Sequence, residues 1–173
     1  MLSWQKQLRH AALQPAKAEA AARVAILGVG NEFNGDDAAG ILTSRALRRS
    51  QARALLSPSV LVIDAGLAPE NFSGKLRSYE PQLVILIDAA HMDASPGEIR
   101  WLDWQAAGGQ SASTHTLPLS MFSNYITREL GCKVVLLGVQ PLQTMPGHPV
   151  SRPVRNAVSR LTRGLSQNLR SVE

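Results

Sequence analysis

An α/β fold, with a mostly parallel sheet covered by helices on both faces and one antiparallel edge strand, is what this sequence predicts. Three observations predict it. Hydrophobic runs without alternation recur at residues 24–29, 60–63 and 83–87, as in strands buried on both faces of a parallel sheet. The segments between them are long enough for crossovers, which makes a βαβαβ start. Only some seven residues, through Pro96 and Gly97, then separate the third run from Glu98-Ile99-Arg100-Trp101-Leu102, whereas a parallel crossover takes about a dozen or more. That fourth strand is therefore expected to be antiparallel and at an edge.

Residues 1–22 hold Trp4, Leu8 and an alanine-rich stretch interrupted by Pro15. The segment is acid-poor and amphipathic, as transit peptides are, and lacks the apolar core of a secretory signal. It reads as a loosely attached, flexible extension ahead of a single domain over 23–173. The first strand carries Val24, Ala25, Ile26, Leu27 and Val29 and stops at Gly28, Gly30 and Asn31. From Asp36 the period changes to helical, with Ala39, Ile41, Leu42, Ala46 and Leu47 on one face and Arg45, Arg48 and Arg49 on the other.

The second strand, Val60 to Ile63, ends in Asp64-Ala65-Gly66, and a short helical or irregular connection runs to Pro81. The third, Leu83 to Ile87, ends in Asp88-Ala89-Ala90-His91. After the fourth strand a polar loop, AAGGQSAST, leads to His115 and to Leu117-Pro118-Leu119. Pro118 is acceptable in a first turn, so a helix is expected through Met121, Phe122, Tyr125 and Ile126 to a stop at Gly131. The fifth strand is Lys133 to Val139, and a last helix runs from about Pro153 to Leu169.

Composition removes several classes of function. There is no run of 18 or more apolar residues for a membrane span. One cysteine, Cys132, cannot form an intramolecular disulfide, which fits a reducing cytosol. The net charge of +5 resides at the two ends: residues 24–150 carry nine basic and eleven acidic side chains. The body of the domain is thus not a polyanion surface, and no nucleic-acid partner is expected.

The glycine-rich loop after the first strand stands where ligands collect in α/β proteins. It is not a nucleotide loop, because Phe33 occupies the third glycine position of GxGxxG and no GxxxxGK followed by Ser or Thr exists. Two aspartates at its mouth would repel phosphate and attract a cation, or Asp36 is simply a helix cap and Asp37 a first-turn acid. Acids also close the second and third strands, at Asp64 and Asp88, and His115 comes from a loop able to reach the same rim. Two carboxylates and an imidazole suit a divalent transition metal with open positions.

The blocks GVGNEFNGDDAAG at 28–40, DAGLAPEN at 64–71, ILIDAAHMDASPGEIR at 85–100, THTLPLS at 114–120 and LLGVQP at 136–141 resemble those of the hydrogenase maturation endopeptidases, in particular the branch serving the hydrogenase of formate hydrogenlyase. The resemblance implies a three-layer α/β/α sandwich of the phosphorylase/hydrolase-like type with a five-stranded sheet. It implies an enzyme that removes the C-terminal extension of a nickel–iron hydrogenase large-subunit precursor after nickel insertion. Carried over by motif, the catalytic and nickel-contacting set is Asp37, Asp88 and His115, with His91 and His148 outside it. Nickel is then borne by the substrate and read as a signal, no organic cofactor is needed, and the enzyme is expected to be a cytoplasmic monomer. Asp37 or a metal-bound water could activate the attacking water. A resident-zinc metallopeptidase and a non-hydrolytic nickel-binding assembly factor are the competing readings. No HExxH or GxSxG stands in support of zinc or serine chemistry. The three site residues are expected to face the surface, so that alanine substitutions leave the fold intact.

Overall fold

A computed structural model describes residues 3–12, 23–102 and 119–170. Its five strands are β1 (Val24–Val29), β2 (Leu61–Gly66), β3 (Leu83–Ala89), β4 (Ile99–Leu102) and β5 (Lys133–Val139), and its α-helices are α1 (Ser3–Ala12), α2 (Ala39–Ala52), α3 (Ser73–Tyr79), α4 (Leu119–Leu130) and α5 (Arg152–Asn168). The sheet order is β2-β1-β3-β5-β4. All neighbours are parallel except β4, which runs antiparallel to β5 at the edge. This is the α/β sandwich with one reversed strand that the short fourth connection predicts.

Strand residues alternate between two cores, as the two-residue period of a strand requires. Ile26, Ile85, Ile87, Val135 and Leu137 pack with residues of α1, α2 and α5 on one face. Leu27, Val84, Leu86 and Leu136 pack with Leu76 of α3 and with Phe122 and Ile126 of α4 on the other. Each of these fully buried side chains contributes about 1.5–3 kcal/mol by leaving water. Because both faces are covered, the three central strands read as unbroken apolar runs rather than as alternation.

The structure differs from the sequence expectation at two places. Residues 3–12 are not a loose extension: Trp4 and Leu8 of α1 are 1% and 0% exposed and join the core. The ring of Trp4 lies over Gly164 of α5, where even a Cβ atom would stand 2.5 Å from Trp4 Cη2. Residues 13–22 lie outside the described residues. The second difference is in length, since β2 and β3 continue through their terminal acids: Asp64 pairs in register with Gly28, and Asp88 with Gly138. No helix among the described residues is long and apolar enough to cross a membrane.

Candidate active site

The chain leaves β1 toward β2 on one side, and β3 is laid down on the other side of β1. The connections therefore diverge at the carboxyl ends of β1 and β3, and that divergence opens a crevice at the sheet edge. The floor of the crevice is made by absent side chains. Gly28 of β1 and Gly40 of α2 face each other so closely that a Cβ on Gly28 would fall 2.2 Å from Gly40 O, and one on Gly40 would fall 2.0 Å from Ile87 O. The first turn of α2 is thereby pressed onto both strands.

Two of the predicted site residues meet in this crevice. Asp37 follows β1 in a single 3-10 turn, Gly35–Ala38, and Asp88 is the penultimate residue of β3. Gly30 lies between them at φ +136: a Cβ there would stand 1.9 Å from Asp37 O and 3.8 Å from Asp88 Oδ1. Only glycine tolerates both that backbone angle and that approach. The Asn31 N–H donates to Asp37 Oδ2 at 2.8 Å, and the Ala89 N–H donates to Asp88 Oδ1 at 2.9 Å. Both acids are buried, at 5% and 2% exposure, rather than surface-facing as the sequence reading expects. Two buried acids thus flank Gly30, the main-chain oxygen of Asp37 on one side and the carboxylate of Asp88 on the other.

The third predicted residue, His115, lies outside the described residues. Among the described residues no group of three or more His, Cys, Asp or Glu is placed to hold a metal ion; of the three residues expected from the sequence, Asp37 and Asp88 are described. His91 and His148 are exposed. Cys132 is buried, and burial pushes its thiol up to about 11, so it is not poised as a nucleophile.

The neighbouring acid, Asp36, has a different task. It is fully buried and caps neither its own turn nor α2. Its carboxylate accepts hydrogen bonds from Leu142 N at 2.8 Å, Gln143 N at 3.2 Å, Ser151 N at 2.6 Å and Ser151 Oγ at 2.8 Å. It thus ties the loop after β1 to the loop after β5 and to the residue that starts α5. Sequence reading misses this role because every partner is more than a hundred positions away.

Asp64 is drawn out of the site. Arg45 donates from Nε to Asp64 Oδ2 and from Nη1 to Glu32 Oε2, both at 2.7 Å. These bonds raise the Arg45 guanidinium pKa, and the same arginine holds the Glu32 carboxyl below its ordinary value. The clamp fixes the loop that contains Asn31, which itself closes on Phe33 through its side chain. Asn31 and Arg45 are positioning residues that the sequence reading passes over; the Gly-Asn step directly after a buried strand is the signal that marks the first of them.

Around the acids lies an apolar fringe. Phe33, Leu67, Leu142 and Met145 are 73%, 45%, 58% and 59% exposed. They are brought to one rim by Gly30 N bonding Gly66 O, Leu142 N bonding Asp36, and Gly147 N bonding Phe33 O. Exposed apolar side chains gathered around a polar crevice suit contact with another protein.

Comparison with known proteins agrees with this fold. The family model described as hydrogenase maturation protease matches residues 44–167. The hydrogenase 3 maturation protease of Escherichia coli is 33% identical over 134 residues, spanning 77% of this chain and 82% of its own. The crystal structure of the NiFe hydrogenase maturation protease HycI from Thermococcus kodakarensis is similar with a TM-score of 0.77 at 33% identity, over 86% of this chain and 92% of that one. For the solution structure of the endopeptidase HycI from Escherichia coli the values are 0.72 and 30%, over 83% and 88%.

Proposed function

The chain belongs to the hydrogenase maturation protease family, and on that premise we propose that it removes the C-terminal extension of a nickel–iron hydrogenase large-subunit precursor, with the nickel already held by that precursor as the recognition signal. It is an endopeptidase of that family. The observation that supports the finer reading is the placement of buried Asp37 and Asp88 on either side of Gly30, in the crevice between β1 and β3.

The donor chemistry fits. Two buried carboxylates offer hard oxygen donors to a divalent ion, and His115 is the nitrogen donor this reading adds from the stretch outside the described residues. The metal belongs to the substrate, so affinity depends on whether the precursor carries it. A contact present only in the loaded precursor is worth several kcal/mol of discrimination against the unloaded one. The apolar fringe of Phe33, Leu67, Leu142 and Met145 supports a protein substrate, since it offers area for a polypeptide beside the acids. The net reaction is hydrolysis: water adds to the scissile carbonyl, the C–N bond breaks, and a new carboxyl and a new amine result.

The test is incubation with nickel-loaded and nickel-free precursor, followed by mass spectrometry. Loaded precursor is expected to lose mass at its C terminus only, while nickel-free precursor stays intact. Equal cleavage of both would remove the nickel-reading part of the proposal. Binding of loaded precursor without any mass loss would assign the chain a non-hydrolytic assembly role.

A further inference from the structure

Away from the acid pair, α2 and α5 enclose a groove of about 660 Å³ that contains neither Asp37 nor Asp88. Half-buried Leu42, Ala46 and Val158 line its apolar part, and exposed Arg49, Arg163 and Arg170 stand along it. Among the described residues no acidic side chain lines it. Neither α2 nor α5 contains a single Asp or Glu, although together they carry seven arginines from Arg45 to Arg163. Among the described residues Arg49, Arg163 and Arg170 have no ion-pair partner. A surface of one sign without counter-charges is self-repelling, and an anion seated on it would relieve that repulsion.

A buried polar group lies under the same groove. Ser166 lines it at 7% exposure, and its buried hydroxyl has no hydrogen-bond partner among the described residues. Serines in helices ordinarily turn back to the carbonyl one turn earlier, as Ser159 does here to Arg155 O. That oxygen is closed off from the groove itself, so it lies beneath the wall and the arginines and apolar side chains make the surface a ligand would meet.

The shape selects the class of ligand. The lining follows α5 from Arg155 to Gln167, a length of about 18 Å at ~1.5 Å per residue. A groove of this volume is in the range of small-molecule sites, and spread over that length it is slender. It admits a single extended apolar chain more readily than a helix about 10 Å across. We infer that this groove binds a single-chain amphipathic anion, its apolar tail along Leu42, Ala46 and Val158 and its carboxylate or phosphate head on the arginines. Guanidinium groups pair both heads in bidentate fashion.

Calorimetric titration of the full chain with dodecanoate and with dodecyl phosphate, below their aggregation thresholds, tests the inference. Saturable one-to-one binding is expected. Dodecyl maltoside and dodecyltrimethylammonium, with the same tail and no anionic head, are expected to bind at least about tenfold more weakly. The double variant Arg49→Gln, Arg163→Gln removes two exposed charges and keeps the fold, as circular dichroism will report; it is expected to weaken dodecanoate by about tenfold or more. A preference between the two anionic probes identifies the head group. Equal binding of all four probes, or an unchanged affinity in the double variant, overturns the inference. So does sedimentation showing a dimer that Val158→Arg dissociates, because the groove is then covered by a second copy of the chain.

Discussion

Asp36 and Asp37 are adjacent acids with opposite duties. The carboxylate of Asp36 is spent entirely on protein donors, four of them, while that of Asp37 accepts from the Asn31 N–H beside Gly30. Their substitutions should therefore separate stability from activity. Asp36→Ala leaves the N–H groups of Leu142, Gln143 and Ser151 without their charged acceptor and is expected to cost about 3 kcal/mol in a urea unfolding curve. Asp37→Asn keeps an acceptor for the Asn31 N–H and is expected to stay within about 1 kcal/mol of the parent. Cleavage of loaded precursor, followed by mass, should nonetheless fall by about two orders of magnitude or more. Asparagine rather than alanine is the informative replacement, since the burial of Asp37 and Asp88 makes truncation destabilising in its own right. At this scale the sequence is only half legible. The acids of the loop are visible as candidates, but nothing local tells which one faces the crevice and which one anchors the loop after β5.

Helix α1 owes its place to one missing side chain on another helix. Trp4 and Leu8 supply apolar surface, and Gly164 leaves the notch that the indole occupies. Trp4→Ala is expected to destabilise the fold by about 3 kcal/mol. Gly164→Val is the sharper probe, because it fills the notch without altering α1: amide hydrogen exchange within residues 3–12 should rise to that of an undocked segment, while β1, β3 and β5 keep their protection. Unchanged exchange in α1 would show that the notch is not what seats it. The docking could not be read from residues 1–22, whose composition is that of a free amphipathic segment; the deciding feature is a glycine more than a hundred and fifty positions later. The antiparallel β4 is the opposite case, since a connection of some seven residues excludes a parallel crossover on length alone.

For the whole molecule, the strand order β2-β1-β3-β5-β4 determines where chemistry is possible. Only between β1 and β3 do the connections diverge, and there the loop with Asp37 and the strand end with Asp88 come together. The unbroken apolar runs and the crossover lengths carry this topology in the sequence. The depth of the crevice is not carried so openly, because it depends on backbone atoms touching across Gly28 and Gly40. Gly40→Ala is accordingly expected to lower the thermal midpoint and to abolish processing together, read by calorimetry and by cleavage of loaded precursor. Full activity in a folded Gly40→Ala protein would show that the seating of α2 does not govern the acids.

The contact at Gly40 also bears on how such a protein can be altered. Its nearest neighbours are main-chain oxygens of Val29 and Ile87, which no compensating change of side chain can trim away. A designer wishing to retune this crevice is thus free to vary the rim but not its foundation, where a single added methyl group would shift the ironwork on which both acids hang.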